Sequence, residues 1–155
     1  MEAYCMKFLF LNELFYDKYK ECTEIEQKSM RPYALVYTKI NDVQFAIPLR
    51  SDINHKEHVL WTDKNNRCGL DFSKAVVIAD EKYIDNTKKP FIRQNEFDSL
   101  RGKEYIIKQK LIKHISEYKA AKTALHIYRN KLLCQYSTMQ YFEEHIKDIE
   151  LKKGK

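Results

Sequence analysis

YALVYTKINDVQFAIPLR, from Tyr33 to Arg50, decides how this chain folds. Two runs rich in β-branched and aromatic residues, YALVYTKI and VQFAIPL, flank the dipeptide Asn41-Asp42. Asn and Asp tolerate the left-handed backbone of a two-residue hairpin turn, so the stretch reads as an antiparallel hairpin. Pro48 lies near the end of the second strand, where its missing N–H costs least.

Working outward, residues 51–57 form a polar loop, HVLW is a short strand, and DKNNRCG is a turn. LDFSKAVVIAD alternates and then becomes wholly apolar, as a strand entering the core does. Residues 33–80 therefore predict a small antiparallel sheet able to curl into a partly open β-barrel. On the N-terminal side, MEAYCMKFLFLNELF opens with a short apolar run read as a strand or helix start. NELFYDKYKECTEIEQKS follows, with Leu14, Phe15, Tyr19 and Cys22 at helical spacing, and predicts a short helix.

The second half has a different period. No proline occurs from Glu96 to Arg129, and Phe97, Leu100, Ile106, Ile107, Leu111, Ile115 and Tyr118 approximate a helical stripe with lysines between them. This predicts one long helix, or two broken near Gly102, packed across the sheet. A last helix is expected around residues 138–149. The fold class is α+β, a small barrel-like sheet with added helices. At 155 residues the chain is one domain, residues 1–155.

Composition narrows the function. The chain is 44% hydrophobic, which suffices for a core, and its three glycines and three prolines exclude linker-like or collagen-like sequence. An excess of 28 Lys and Arg over 22 Asp and Glu, +6 in all, favours polyanionic partners. Cys5, Cys22, Cys68 and Cys134 are scattered without a CxxC pair and read as free thiols. The first segment lacks a basic leader and is too short to span a bilayer. A cytoplasmic protein that engages no membrane is the expectation.

The chemistry gathers after Pro48, where Arg50, Ser51, His55, Lys56 and His58 lie in and beside one short loop at a strand end. RNA cleavage without a metal requires activation of the 2′-hydroxyl, stabilisation of charge on phosphorus and protonation of the leaving 5′-oxygen; His, Lys, Arg and Ser can divide those tasks. The plain alternative is a solvated turn. Arg31, before the first hairpin strand, can share one side of the sheet with Arg50 if the strands are antiparallel; the plainer reading is an exposed residue before Pro32. Lys74 can point at the same mouth or simply reach solvent. His114, His126 and His145 read as surface or partly buried, without catalytic role. No Walker loop, GxGxxG, nucleophile elbow or HExxH occurs, and no cofactor or metal is expected. The later helical region carries Lys103, Lys108, Lys110, Lys113, Lys119, Lys122, Arg129 and Lys131, interleaved with Tyr105, Tyr118 and Tyr128. Such a face can track a phosphate backbone while aromatic rings stack on unpaired bases, with Lys108, Lys113, Lys119 and Tyr118 as leading candidates; a solvated helix face with core tyrosines is the equal alternative.

RPYALVY, FAIPLRSDINHK, GLDFSKAVVI and KEYIIKQKLIKHISEYKAA together resemble the toxins of type III toxin–antitoxin systems, in particular the TenpN branch of the ToxN and AbiQ group. The likeness runs from about Arg31 to Tyr118. It implies a partly open β-barrel of the Kid and MazF type. It also implies a metal-independent endoribonuclease that leaves 2′,3′-cyclic phosphate and 5′-hydroxyl ends on messenger RNA and on its own antitoxin precursor. A pseudoknotted antitoxin RNA inhibits such toxins within closed, alternating protein–RNA assemblies. On this likeness the family's basic position before the first strand falls on Arg31, its polar pair after Pro-Leu on Arg50 and Ser51, and its basic loop positions on His55 and Lys56. This chain departs from ToxN proper, which has a Thr-Ser pair and a nearer lysine. Two other classes compete: a noncatalytic RNA-binding module, and a protein-interaction subunit solubilised by its charged helix.

Overall fold

The computed structural model describes residues 6–25 and 34–149. The hairpin forms as expected, β2 (Leu35–Ile40) pairing with β3 (Val43–Arg50) in the register Ile40↔Val43 through Leu35↔Pro48. Asn41 and Asp42 both take positive φ, 48° and 67°, which matches a two-residue turn to the right-handed strand twist. On the outer side of β2 lies β1 (Phe8–Leu11), followed by α1 (Glu13–Lys18). The Asn12 side chain starts that helix by accepting from the Phe15 N–H and donates to the Lys82 carbonyl.

Beyond the hairpin come β4 (Val59–Asp63), β5 (Cys68–Asp71), β6 (Val76–Val77) and β7 (Ile84–Asp85). The strand order is β4-β5-β3-β2-β1-β7, all antiparallel, with β6 also pairing with β3. Among the described residues the seven strands make an antiparallel sheet that is not closed. LDFSKAVVIAD is therefore two strands rather than the single one expected. Asp71 accepts from the Ser73 N–H, which turns the chain through a 3-10 turn over 72–74. β5 and β6 then share one edge of β3, at Leu49↔Leu70 and at Ala46↔Val76.

The helices are α2 (Gln94–Leu100), α3 (Glu104–Lys122), α4 (Tyr128–Tyr136) and α5 (Glu143–Ile146). Of the two helical alternatives, the broken one forms: Gly102 takes φ 76° between α2 and α3. α3 buries Ile107, Leu111, His114, Ile115, Tyr118 and Ala121 on one face, facing a core that includes Phe45, Ala46, Ile47, Leu70 and Phe72. Each such fully buried aliphatic side chain contributes roughly 2 kcal/mol. Ile106 and Phe97, expected in that stripe, are 44% and 37% exposed and flank it instead. α4 is a separate helix beyond the expected ones, and the last helix is one turn rather than the span 138–149. Buried Thr138 donates to the Ser73 and Ala75 carbonyls, which ties the C-terminal segment to the turn after β5. No helix among the described residues is long and apolar enough to cross a membrane.

Candidate functional site

The loop after β3 is fixed from both sides. Ile53 is wholly buried, and its N–H donates to the Arg67 carbonyl at 3.1 Å. Arg67 returns the contact: its Nε donates to the Ile53 carbonyl and its Nη2 to the His55 carbonyl, while the guanidinium lies 5.3 Å from the Trp61 ring centroid. Asp52, His58 and Arg67 all adopt left-handed backbone, φ 54°, 62° and 54°. The polar loop thus has an apolar anchor and a guanidinium clasp.

Pairing register brings the chemistry together. Arg50 is opposite Gly69, so Asp71, two residues on, lies diagonally across on the same face. Arg50 Nη1 donates to Asp71 Oδ2 at 2.6 Å, and His55 Nε2 meets the same oxygen at 3.1 Å. Asp71 Oδ1 accepts from the Ser73 N–H at 3.0 Å and the Ser73 hydroxyl at 2.6 Å. The carboxylate is fully buried and has four donors. Burial alone would raise its pKa, but hydrogen bonds from His55, Ser73 and Arg50 and the His55 charge hold it below the ordinary value. A side chain at position 69 would crowd this junction, since a Cβ there would lie 2.5 Å from the Leu60 carbonyl oxygen.

His55 also meets the Glu57 carbonyl through Nδ1 at 3.0 Å. Both ring nitrogens therefore face pure acceptors, and only the doubly protonated imidazolium satisfies both. The Asp71 hydrogen bond raises the His55 pKa, against the opposing effect of burial. Arg50, Asp71 and His55 then sum to one positive charge at the loop mouth. Ser51 and Lys56 are exposed beside it.

Other expected residues lie elsewhere. Arg31 falls outside the described residues. Lys74 pairs with Glu24 at 3.4 Å and donates to the Tyr136 carbonyl at 3.0 Å. Tyr118 is 1% exposed and donates to Glu143 at 2.7 Å, so its ring offers no stacking surface; burial and that carboxylate push its pKa up. Lys119 donates to the Lys147 and Ile149 carbonyls at 2.8 and 2.7 Å. Lys108 and Lys113 are exposed, the latter 3.8 Å from Glu117. His114, read as a surface or partly buried residue, is buried: it meets Ser137 Oγ through Nε2 at 2.9 Å, and burial pushes its pKa down to about 3. His58 packs against it with ring centroids 4.5 Å apart.

Sequence reasoning passed over Asp71, the centre of the arrangement. The signal was present in DFS: an Asp two residues before a Ser at a strand end is an Asx-turn pattern. Arg67 and Ile53 had no comparable signal. No family model, curated protein or solved structure matches the chain.

Proposed function

We propose that this chain is a metal-independent endoribonuclease, the toxin of a type III toxin–antitoxin system of the TenpN branch, acting in the cytoplasm on messenger RNA and on its own antitoxin RNA precursor. The observation that carries the reading is the Arg50–Asp71–His55 group at the end of β3, with Ser51 and Lys56 exposed beside it. In this reading the open sheet is a Kid- and MazF-like barrel left partly unclosed.

The chemistry follows from charge. A phosphate entering the loop meets a cationic mouth whose geometry is set in advance, because buried Asp71 holds both Arg50 and His55. Asp71 is a positioning residue: four donors occupy it, which limits its repulsion of an incoming anion. Ser51 and Lys56 add a hydroxyl donor and an ammonium at the rim. A pseudoknotted antitoxin RNA inhibits by occupying the same mouth, and the resulting assembly weakens with salt because phosphate contacts dominate.

The test is incubation of RNA-free protein with mixed-sequence single-stranded RNA in EDTA, with fragment ends and cut sites identified. Cyclic phosphate and 5′-hydroxyl ends, lost in Arg50→Ala, are expected. Intact RNA that stays bound would replace this reading with a noncatalytic RNA-binding module. That second reading has its own support in the distribution of charge: residues 103–142 hold eight Lys and Arg against two Glu, the whole excess of the chain, beside exposed Tyr105, Tyr128 and Tyr136.

A further inference from the structure

His58 differs from its loop neighbour in what its ring touches. Both nitrogens of His55 are engaged by acceptors, so a proton can reach that ring only after a hydrogen bond breaks. Among the described residues no hydrogen bond engages either ring nitrogen of His58; its ring contact is edge-on with His114 at 4.5 Å. The backbone places it at the same centre. The His58 carbonyl accepts from the Phe72 N–H at 2.8 Å, and the next residue, Val59, pairs with Asp71. It sits there with φ 62°, a conformation that costs a non-glycine residue energy and that clusters at functional sites. Beside it, α3 supplies buried His114, whose Nδ1 has no hydrogen-bond partner among the described residues.

We propose that His58 is the catalytic base that removes the proton from the attacking 2′-hydroxyl, while His55, an imidazolium held by Asp71 through Nε2, turns its Nδ1–H from the Glu57 carbonyl to the leaving 5′-oxygen and supplies its proton. The assignment rests on the ribonuclease reading above. The 2′-hydroxyl proton passes to a His58 ring nitrogen as the O2′–P bond forms. The P–O5′ bond breaks, the 5′-oxygen leaves with a proton from His55, and exchange with solvent restores both rings.

The surroundings agree with this division. Burial lowers the His58 pKa, and the charge of His55 adds to that. Glu117 on α3, Asp71 on β5 and Glu57 in the loop oppose it without reversing it. Buried His114, facing it from α3, is neutral and contributes no charge. Two titratable groups pushed apart in this way divide the roles of acid and base.

The experiment uses short RNAs spanning a mapped cut site, one with the natural 5′-oxygen and one with sulfur in its place. A thiolate leaves without a proton, so the sulfur substrate needs a base but no acid. His58→Ala and His58→Gln, checked for folding by circular dichroism, are expected to lose roughly 100-fold or more in cleavage of both substrates. His55→Ala is expected to recover more on the sulfur substrate than on the oxygen one. With sulfur, the wild-type rate should rise with pH to a plateau, with its midpoint below the ordinary histidine range. Unchanged cleavage by the folded His58 variants overturns the assignment, as does recovery of His58→Ala on the sulfur substrate, which would make His58 the acid. If the wild type cleaves neither RNA, the ribonuclease reading itself fails, an outcome distinct from both.

Discussion

The loop mouth and the α3–α4 face hold positive charge in opposite ways. At the mouth, Arg50, His55 and Arg67 each donate to named acceptors on the sheet or loop, and the acceptor at the centre is fully buried. On the helical face, Lys108, Lys110, Lys113, Lys122, Arg129 and Lys131 are exposed, and where they pair it is with partly exposed Glu117 or Glu143. Charge tied to a buried carboxylate is a piece of structure with a fixed geometry. Charge on a solvated helix is a field, screened by salt and tolerant of substitution. One arrangement suits chemistry and the other suits attraction of a polyanion.

The sharpest way to break this contrast is Asp71→Ala. It removes the buried carboxylate that Arg50, His55 and Ser73 share, so stability should fall by about 3–5 kcal/mol, the usual cost of removing one partner from a buried ion pair. Urea denaturation measures it, and RNA cleavage should vanish with it. A loss no larger than that of a surface substitution would mean the mouth is as loosely held as the helical face.

Next in size is a pH effect. His114 is buried neutral, with its folded pKa depressed to about 3, so its contribution is present above the unfolded value of about 6.5 and fades as pH falls towards 3. His55, raised by Asp71, has the opposite sign: its contribution is full below the unfolded value and is lost as pH rises through the folded one. Replacing His114 with Leu should therefore flatten the acid limb of a stability–pH curve, and replacing His55 with Ala should flatten the limb above neutrality. An acid limb equally steep in His114→Leu would rule out a neutral buried His114.

Tyr118→Phe should cost about 1 kcal/mol, since it removes one hydrogen bond to a partly exposed Glu143 while keeping the buried ring. RNA affinity should not change, because the ring is inside. A binding loss larger than the stability loss would return Tyr118 to the interface.

The smallest stability effects belong to Lys108→Ala and Lys113→Ala, each within about 0.5 kcal/mol of wild type. Their effect should appear in RNA binding instead, where each phosphate contact removed lowers the salt slope by roughly 0.7 for a single strand. Unchanged slopes would confine RNA to the loop mouth.

The hairpin and most of the buried stripe of α3 were legible because each is written in local period and turn chemistry, whereas Gly102 left one helix or two open and only the fold chose the break. Arg50, Ser51 and His55 were legible as a cluster because they share one short stretch. Asp71 was less so, for its partners lie 21 and 16 residues away in sequence and meet it only through the register of β3 with β5. Lys74, Lys119 and Tyr118 look like free cations and a free ring in sequence, yet they are occupied by Glu24, by the carbonyls of Lys147 and Ile149, and by Glu143.

Sequence by itself determined the hairpin, the helical character of the second half and where polar chemistry is concentrated, because period, turn propensity and charge are properties of neighbours along the chain. Tertiary structure alone decided which of those polar groups are committed. Burial raises the cost of an unpartnered charge, so each buried donor takes whichever acceptor the strand register brings within reach. That is why Asp71 became a centre holding Arg50 and His55, while His58, three residues along the same loop as His55, kept its ring nitrogens unengaged by any described residue.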